Sequence, residues 1–406
     1  MPLFFFLQSI NCSNVQAGAH SHDRENRLGT PRSLCHLTIC LSILVHGVCA
    51  TSQAAEMRVL LPVAYQVTQR VAYDPLRADQ HEPGSPALGF GSVHIELDLP
   101  NAANGMFQFR TDLLSDAFGK AVDWTKLRVT RTGSRYDGIA ELPAGGWYRI
   151  DVRVVEDNKV VAEASVEPIG VGEVFVIAGQ SYAAGYSDAL TQIEDPQGRV
   201  VAYDVDKKTW RVANDPQPNV GPGGTVWPSM CNALLPVIQV PIGLINVAVD
   251  ATSSRKWLPG GKLYEDFATA GKTVGSFRFV LWQQGESDVL EKVPTDTYFN
   301  NLVRIRAGLL NEWAFEPPWL LAKSTLHPMV YNDPTHEGYI RAAIDRLWNT
   351  PGFRPGPDTD VLGGENRGGP HSRRHFSELG QRRAGLMWFA AVWNELQRSD
   401  YPSPHE

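Results

Sequence analysis

Residues 174–181 constrain this chain more than any other stretch. Val174-Phe175-Val176-Ile177 is short, wholly apolar and mostly β-branched, which predicts a buried strand. The Ala178-Gly179-Gln180-Ser181 that follows predicts a sharp turn at the glycine. A serine just past such a strand end stands at the rim of a sheet, where open α/β folds bind their ligands. Two readings of Ser181 follow. It is a nucleophile, which then needs a base and an oxyanion hole from elsewhere in the chain, or it is a turn serine capping the next helix.

The chain has 406 residues, which predicts two domains, and 43% hydrophobic with 20% charged residues is the balance of a soluble globular protein. Residues 1–50 read as a leader. Behind Arg32 comes an apolar stretch from Leu34 to Val48, then small residues at Val48-Cys49-Ala50, the order of a secretory signal. The stretch is too short and too interrupted, by His36, Ser42 and His46, to span a membrane. The expected location is therefore secreted or periplasmic, without stable membrane insertion after the leader is removed. Cys12, Cys35, Cys40 and Cys49 fall in the leader and leave Cys231 alone, which predicts a core stabilised without an internal disulfide. The leader's arginines outnumber its acids by one, so the remainder is slightly more acidic than the −7 of the whole chain. That balance argues against nucleic acid or an anionic membrane as partner.

Residues 51–168 read as a small β-sandwich domain. Val93, Ile95, Leu97 and Leu99 alternate with polar residues, as do Tyr148, Ile150, Val152 and Val154, and Asp157-Asn158-Lys159 predicts a hairpin into Val160–Val166. This domain is expected to brace its neighbour. The boundary is placed at Pro168–Gly172. Over 169–400, apolar runs at Val174–Ala178, Ile242–Val249, Phe277–Trp282 and Trp319–Ala322 alternate with helical stretches. Leu302, Ile305, Leu309 and Trp313 share one helical face behind Thr295/Asp296, and Leu386, Phe389, Ala390 and Trp393 share another after Ser377. Alternating β and α units predict a mainly parallel, three-layer sheet. Val200–Val226, rich in Asp, Asn, Pro and Gly, reads as a long polar surface loop. The eleven Trp suit either sugar-binding faces or a large core.

Three predicted strand ends carry polar groups: Ser181; Trp282-Gln283-Gln284-Gly285-Glu286-Ser287-Asp288; and His375, in His375-Phe376-Ser377 before the last helix. Serine, amide, carboxylate and histidine are the parts of an acyl-transfer site. Each also has a structural use, as a loop anchor, an ion-pair partner or a helix cap.

In this order, the blocks Gly179-Gln180-Ser181, Trp282–Asp288 and His375-Phe376, with Leu244–Val249 and Thr252-Ser253 between them, resemble the sialate O-acetylesterase-like branch of the SGNH hydrolases. That branch is related to the acetylxylan esterases of carbohydrate esterase family six. The resemblance covers roughly 170–397. It implies a flavodoxin-like α/β/α domain that needs no metal or cofactor and acts on acetylated carbohydrates. Carried over by position, Ser181 is the nucleophile, His375 the general base, and the Ser181 N–H with the Gln284 side-chain amide the oxyanion hole.

The departures from the family pattern bear on the site. Tyr182 stands where the family usually has Asn, Asp250-Ala251 where it has a glycine pair, and Ser372 where many relatives carry an Asp. The Ala251 N–H still joins the oxyanion hole provided its turn does not require φ > 0. With the Asp missing, Glu286 is expected to orient His375; Asp288, Asp358, Asp360 and Glu365 are the other acids within reach in sequence. The expected activity is a serine esterase that removes O-acetyl groups from sugars or polysaccharides, sialate or xylan among them. The alternative is a catalytically impaired carbohydrate-binding homologue.

Overall fold

In the computed structural model, which describes residues 56–398 except 81, 83, 102, 219 and 369–373, the alternating runs build the first half of the molecule. The leader expected at 1–50, with its four cysteines, lies outside the described residues. Nine strands follow one another: β1 (Arg58–Leu61), β2 (Val67–Gln69), β3 (Phe90–Asp98), β4 (Met106–Phe118), β5 (Val122–Lys126), β6 (Val129–Thr132), β7 (Arg135–Pro143), β8 (Gly145–Glu156) and β9 (Lys159–Gly179). One antiparallel sheet has the order β1-β3-β7-β6, and β5, β4, β8 and the first part of β9 pair antiparallel in a second. Val93, Ile95 and Leu97 from the first and Ile150, Val152 and Val154 from the second are buried in one apolar core. The β8–β9 hairpin turns at Asp157 and Asn158, both at positive φ, the turn whose twist suits paired strands.

The stretch 168–172, where the sequence places a boundary, is the middle of β9. The strand runs on, and from Glu173 it is the central strand of a parallel sheet. The elements that complete this sheet and its covering are β10 (Val200–Asp204), β11 (Thr209–Val212), α1 (Trp227–Ile238), β12 (Ile242–Asn246), α2 (Lys262–Val274), β13 (Phe279–Gln283), α3 (Glu286–Leu290), α4 (Thr295–Trp313), β14 (Trp319–Lys323), α5 (Pro334–Trp348), β15 (Phe353–Asp358) and α6 (Glu378–Leu396). The order is β11-β10-β12-β9-β13-β14-β15, parallel throughout except for β11.

Successive side chains of β9 point to opposite faces and so enter two different cores. Phe175 and Ile177 pack with Leu234 of α1 and Trp388 of α6, whereas Val174, Val176 and Ala178 pack with Phe267 of α2, Ile305 of α4 and Ile344 of α5. All five are buried, each of the larger ones contributing about 1.5–3 kcal/mol. Helices on both faces make the expected α/β/α arrangement. Trp227, Trp257, Trp282, Trp319 and Trp388 are wholly buried in these cores, so packing is their use. No helix among the described residues is long and apolar enough to cross a membrane.

Two expectations need correction. The supposed surface loop at 200–226 holds the β10–β11 hairpin and leads up to α1, and Val200–Asp204 is buried along its length. Four apolar residues embedded in polar sequence gave no period to read. In α6 the buried face is Ala384, Trp388 and Val392, one position out of phase with the predicted one, and Leu386 is exposed. The Trp227–Trp388 ring contact with α1, 5.3 Å between centroids, fixes that phase.

Glu173 joins the two halves. Its carboxylate, fully buried, accepts from Arg70 Nε at 2.7 Å, Arg278 Nε at 2.8 Å and Gln69 Nε2 at 2.8 Å. Burial pushes its pKa up, but the guanidiniums of Arg278 and Arg70 outweigh that and hold it below the usual carboxylate value. Removing one partner of such a set leaves buried charge uncompensated. Glu173→Gln is therefore expected to lower the unfolding free energy by about 3–5 kcal/mol in urea titration, with an unchanged midpoint counting against the clasp.

Candidate active site

Strand β9 is where the parallel sheet reverses its order of filling, since the chain next builds β10 and β12 on one side and then β13 to β15 on the other. The crevice beyond the carboxyl end of such a strand is the natural binding place in an open α/β sheet. A cavity of about 210 Å³ lies there, lined among others by Ser181, Ala251, Glu286, His327 and His375. A larger one, about 500 Å³, opens between Gln69, Lys272 and Trp313 and shares no lining residue with the first.

Ser181 is delivered by the end of β9. Gly179 has φ 137° and lies so close to β13 that a Cβ there would be 2.0 Å from the Gln283 carbonyl oxygen, so only glycine fits this crossing. The turn closes with Ala183 and Ala184 N–H donating to the Gln180 carbonyl. No helix starts here, as the next is α1, and the capping reading of Ser181 falls away. Ser181 and His375 line this same cavity.

The Gln284 amide is engaged within the protein. Its amide Nε2 donates to Asp288 Oδ2 at 2.6 Å, Thr252 O at 3.0 Å and Gln180 Oε1 at 3.1 Å. Two amide hydrogens facing three acceptors leave nothing for an oxyanion. Gln284 instead ties the turn before Ser181 to the loop after β12. Asp288 completes this network, accepting from Ser254 N at 2.7 Å and Ser254 Oγ at 2.6 Å, and burial raises its pKa to about 6. The Ala251 turn does require a left-handed backbone, φ 53°, which the alanine adopts at a cost of about 1 kcal/mol relative to glycine. Asp250 beside it is exposed.

His375 is buried, with Tyr182 packed edge-on against its ring at 5.3 Å and His327 at 5.5 Å. Burial first, then the nearby His327, Arg374 and Arg367, lower its pKa to about 3, so the imidazole is neutral and ready to accept a proton. Tyr182, the departure beside Ser181, reaches into the segment that carries His375. Its phenol donates to the Arg374 carbonyl, one residue before His375, and accepts from Arg367 Nη1. Ser372 lies outside the described residues.

Glu286 lines the same cavity, but its hydrogen bond goes to Ser324 Oγ at 2.5 Å rather than to the imidazole, as the orienting role would need. Gly285, whose Cβ would stand 2.6 Å from the Ser324 carbonyl, lets the chain pass close enough to β14 for this bond. The other oxygen, Oε2, is buried with no hydrogen-bond partner among the described residues. Burial pushes the Glu286 pKa up to about 8, so the acid is mostly protonated at neutral pH. The remaining acids are occupied elsewhere: Asp358 and Asp360 bind Arg341, and Glu365 binds Arg383. His327, after β14 in Ser324-Thr325-Leu326-His327, is the cavity residue that sequence reasoning missed. A fourth strand ending in polar residues was the available signal.

Residues 171–316 match the family model for carbohydrate esterases described as sialic acid-specific acetylesterase. That span includes Ser181, Ala251, Gln284 and Glu286 and ends before His327 and His375. A probable carbohydrate esterase of Arabidopsis thaliana is 27% identical over 172 residues, 36% of this chain and 65% of that protein, so the chain spans just under two thirds of this curated relative. Among solved structures, a carbohydrate acetylesterase from Xanthomonas citri is similar with a TM-score of 0.53 and 18% identity over 83% of this chain and 74% of its own. A structure from Arabidopsis thaliana reaches a TM-score of 0.45 and 19% identity, covering 55% of this chain and 98% of that one.

The raised Glu286 pKa has a definite sign in stability. Unfolded, this carboxyl ionises near 4.5, as an ordinary glutamate does, whereas folded it holds its proton until about 8. Between these values the unfolded state releases the proton first, so rising pH destabilises the fold. Glu286→Gln removes that dependence. Its stability relative to wild type is expected to improve from pH 5 to pH 8 with a slope of at most about 1.4 kcal/mol per pH unit. Urea titrations at the two values test this, and a constant difference would show that Glu286 ionises normally.

Proposed function

We propose that this chain, whose residues 171–316 match the model of the carbohydrate esterases described as sialic acid-specific acetylesterases, is a serine esterase that removes O-acetyl groups from sugars or polysaccharides. The observation that carries the reading is the meeting of Ser181, His375, Ala251 and Glu286 around one small cavity at the switch point of the sheet. A volume of about 210 Å³ suits a two-carbon acyl group and the linked part of an alcohol.

In this mechanism Ser181 Oγ attacks the acetyl carbonyl and passes its proton to the neutral His375. The carbonyl oxygen becomes an oxyanion, for which the backbone N–H groups of Ser181 and, despite its left-handed turn, Ala251 are the donors this mechanism assigns, each donor of this kind contributing about 3–4 kcal/mol. His375 then protonates the departing sugar oxygen, and water, deprotonated in turn by His375, releases acetate and restores the serine. Backbone donors take the place first read for Gln284, which holds the turns that carry them. Glu286, ionised, stabilises the imidazolium that forms on His375. The leader-like order of residues 1–50 supports a place outside the cytoplasm, secreted or periplasmic.

A serine-directed phosphonate is expected to label Ser181, and acetate release from a panel of acetylated glycans is expected to vanish in Ser181→Ala. A folded protein left unlabelled sinks the esterase reading, and glycan binding without acetate release would favour an impaired carbohydrate-binding homologue. The pH profile separates the roles of the two titrating groups. Because His375 is already neutral above about pH 3, the limb below the optimum belongs to Glu286 and is expected to rise towards about pH 8. Glu286→Gln is expected to flatten that limb and lower kcat by roughly a hundredfold or more; a variant that keeps the limb contradicts the role given to the acid.

A further inference from the structure

His327 stands beside the proposed nucleophile and base, yet nothing in the mechanism uses it. Its place is firmly built. Asp360, itself held by Arg341 Nη1 at 2.6 Å, accepts from Thr325 N at 2.7 Å, Thr325 Oγ1 at 2.7 Å and Leu326 N at 2.8 Å, fixing the loop that presents the ring. The ring lines the cavity with Ser181 and His375, and its Nδ1 lies 3.4 Å from the Tyr182 hydroxyl.

The surroundings of that hydroxyl decide the tautomer. A phenol has one proton, and the carbonyls of Arg374 and Leu326 both take up positions to accept it. The Arg367 guanidinium donates to the same oxygen. An unprotonated Nδ1 would face oxygen lone pairs, whereas a protonated one donates to them. The proton therefore sits on Nδ1 and Nε2 is left as an acceptor. Burial, reinforced by Arg374 and Arg367, lowers the His327 pKa to about 4, which keeps the ring neutral and the lone pair present.

An acetyl ester has no hydrogen-bond donor of its own. Its carbonyl and ester oxygens only accept, and its methyl group does neither, so a donor must come from the alcohol half of the substrate. Resting on the esterase reading, we infer that His327 is a specificity-determining residue that accepts a hydrogen bond from a free hydroxyl of the alcohol moiety. It thereby selects partly acetylated polyols, sugars included, over esters of alcohols that lack a second hydroxyl. A site that leaves a buried polar group unpaired when the hydroxyl is missing discriminates strongly against such esters.

The test uses the full chain and two esters: p-nitrophenyl acetate, which has no hydroxyl, and a monoacetylated methyl glycoside with its other hydroxyls free. His327→Phe keeps an aromatic ring and removes the acceptor, and His327→Gln restores an acceptor oxygen near the same place. The expected result is a fall in kcat/KM of at least about tenfold on the glycoside for His327→Phe, with p-nitrophenyl acetate changed by less than about threefold, and substantial recovery in His327→Gln. Retained hydrolysis of p-nitrophenyl acetate also shows that the variant is folded. An equal fall on both esters overturns the inference by placing His327 in the proton transfers or in water activation, and no fall on either overturns it as well. Wild-type protein that cleaves neither ester would instead bring down the esterase reading, and this inference with it.

Discussion

Everything in this molecule hangs on β9, a strand long enough to serve two sheets. Its first part is zipped to β8 through a local hairpin, and its last seven residues lie between β12 and β13 at the centre of the parallel sheet. At the point of passage sits Glu173, whose buried carboxylate needs Arg70 from one half and Arg278 from the other. Charge burial of this kind is tolerable only when every partner is in place. The parallel sheet therefore has its central strand anchored at the amino end by ion pairs and at the carboxyl end by the Gly179 crossing, and Ser181 inherits that rigidity.

Two polar networks then divide the work around the serine. On one side, Gln284 and Asp288 hold Gln180, Thr252 and Ser254 together, and so set the turns that offer backbone N–H groups. On the other side, Tyr182 and Arg367 hold the segment that carries His375 and pin the loop that carries His327. Tyr182, the unusual residue after Ser181, thus acquires a purpose as the anchor of two imidazoles. The acid in the cavity behaves differently from both networks, because half of its carboxyl group is satisfied and the other half is not.

Much of this was legible in the chain itself. Burial on both faces made β9, β12, β13 and β14 visible as short apolar runs, and polar residues past two of their ends, with the histidine before the last helix, singled out Ser181, Glu286 and His375 as candidates. What stayed hidden depends on contacts between distant residues. The β10–β11 hairpin is too short for a period to show, and the phase of α6 is set by Trp227 across the helix interface. The commitments of Gln284 are the clearest case, since an amide reads the same in sequence whether its hydrogens point at a substrate or at three protein acceptors. His327 escaped because a single histidine after a strand has no spacing to betray it.

The shared strand also decides how the two halves can influence one another. Among the described residues, none lining the cavity comes from β1 to β8, and β9 runs unbroken from those strands into the parallel sheet. A hinge between them has nowhere to form, so the cavity does not open and close by swinging one half against the other. Variation accumulating in residues 58–156 thus registers at the site as a change in how firmly β9 is held, and not as a change in what the cavity recognises.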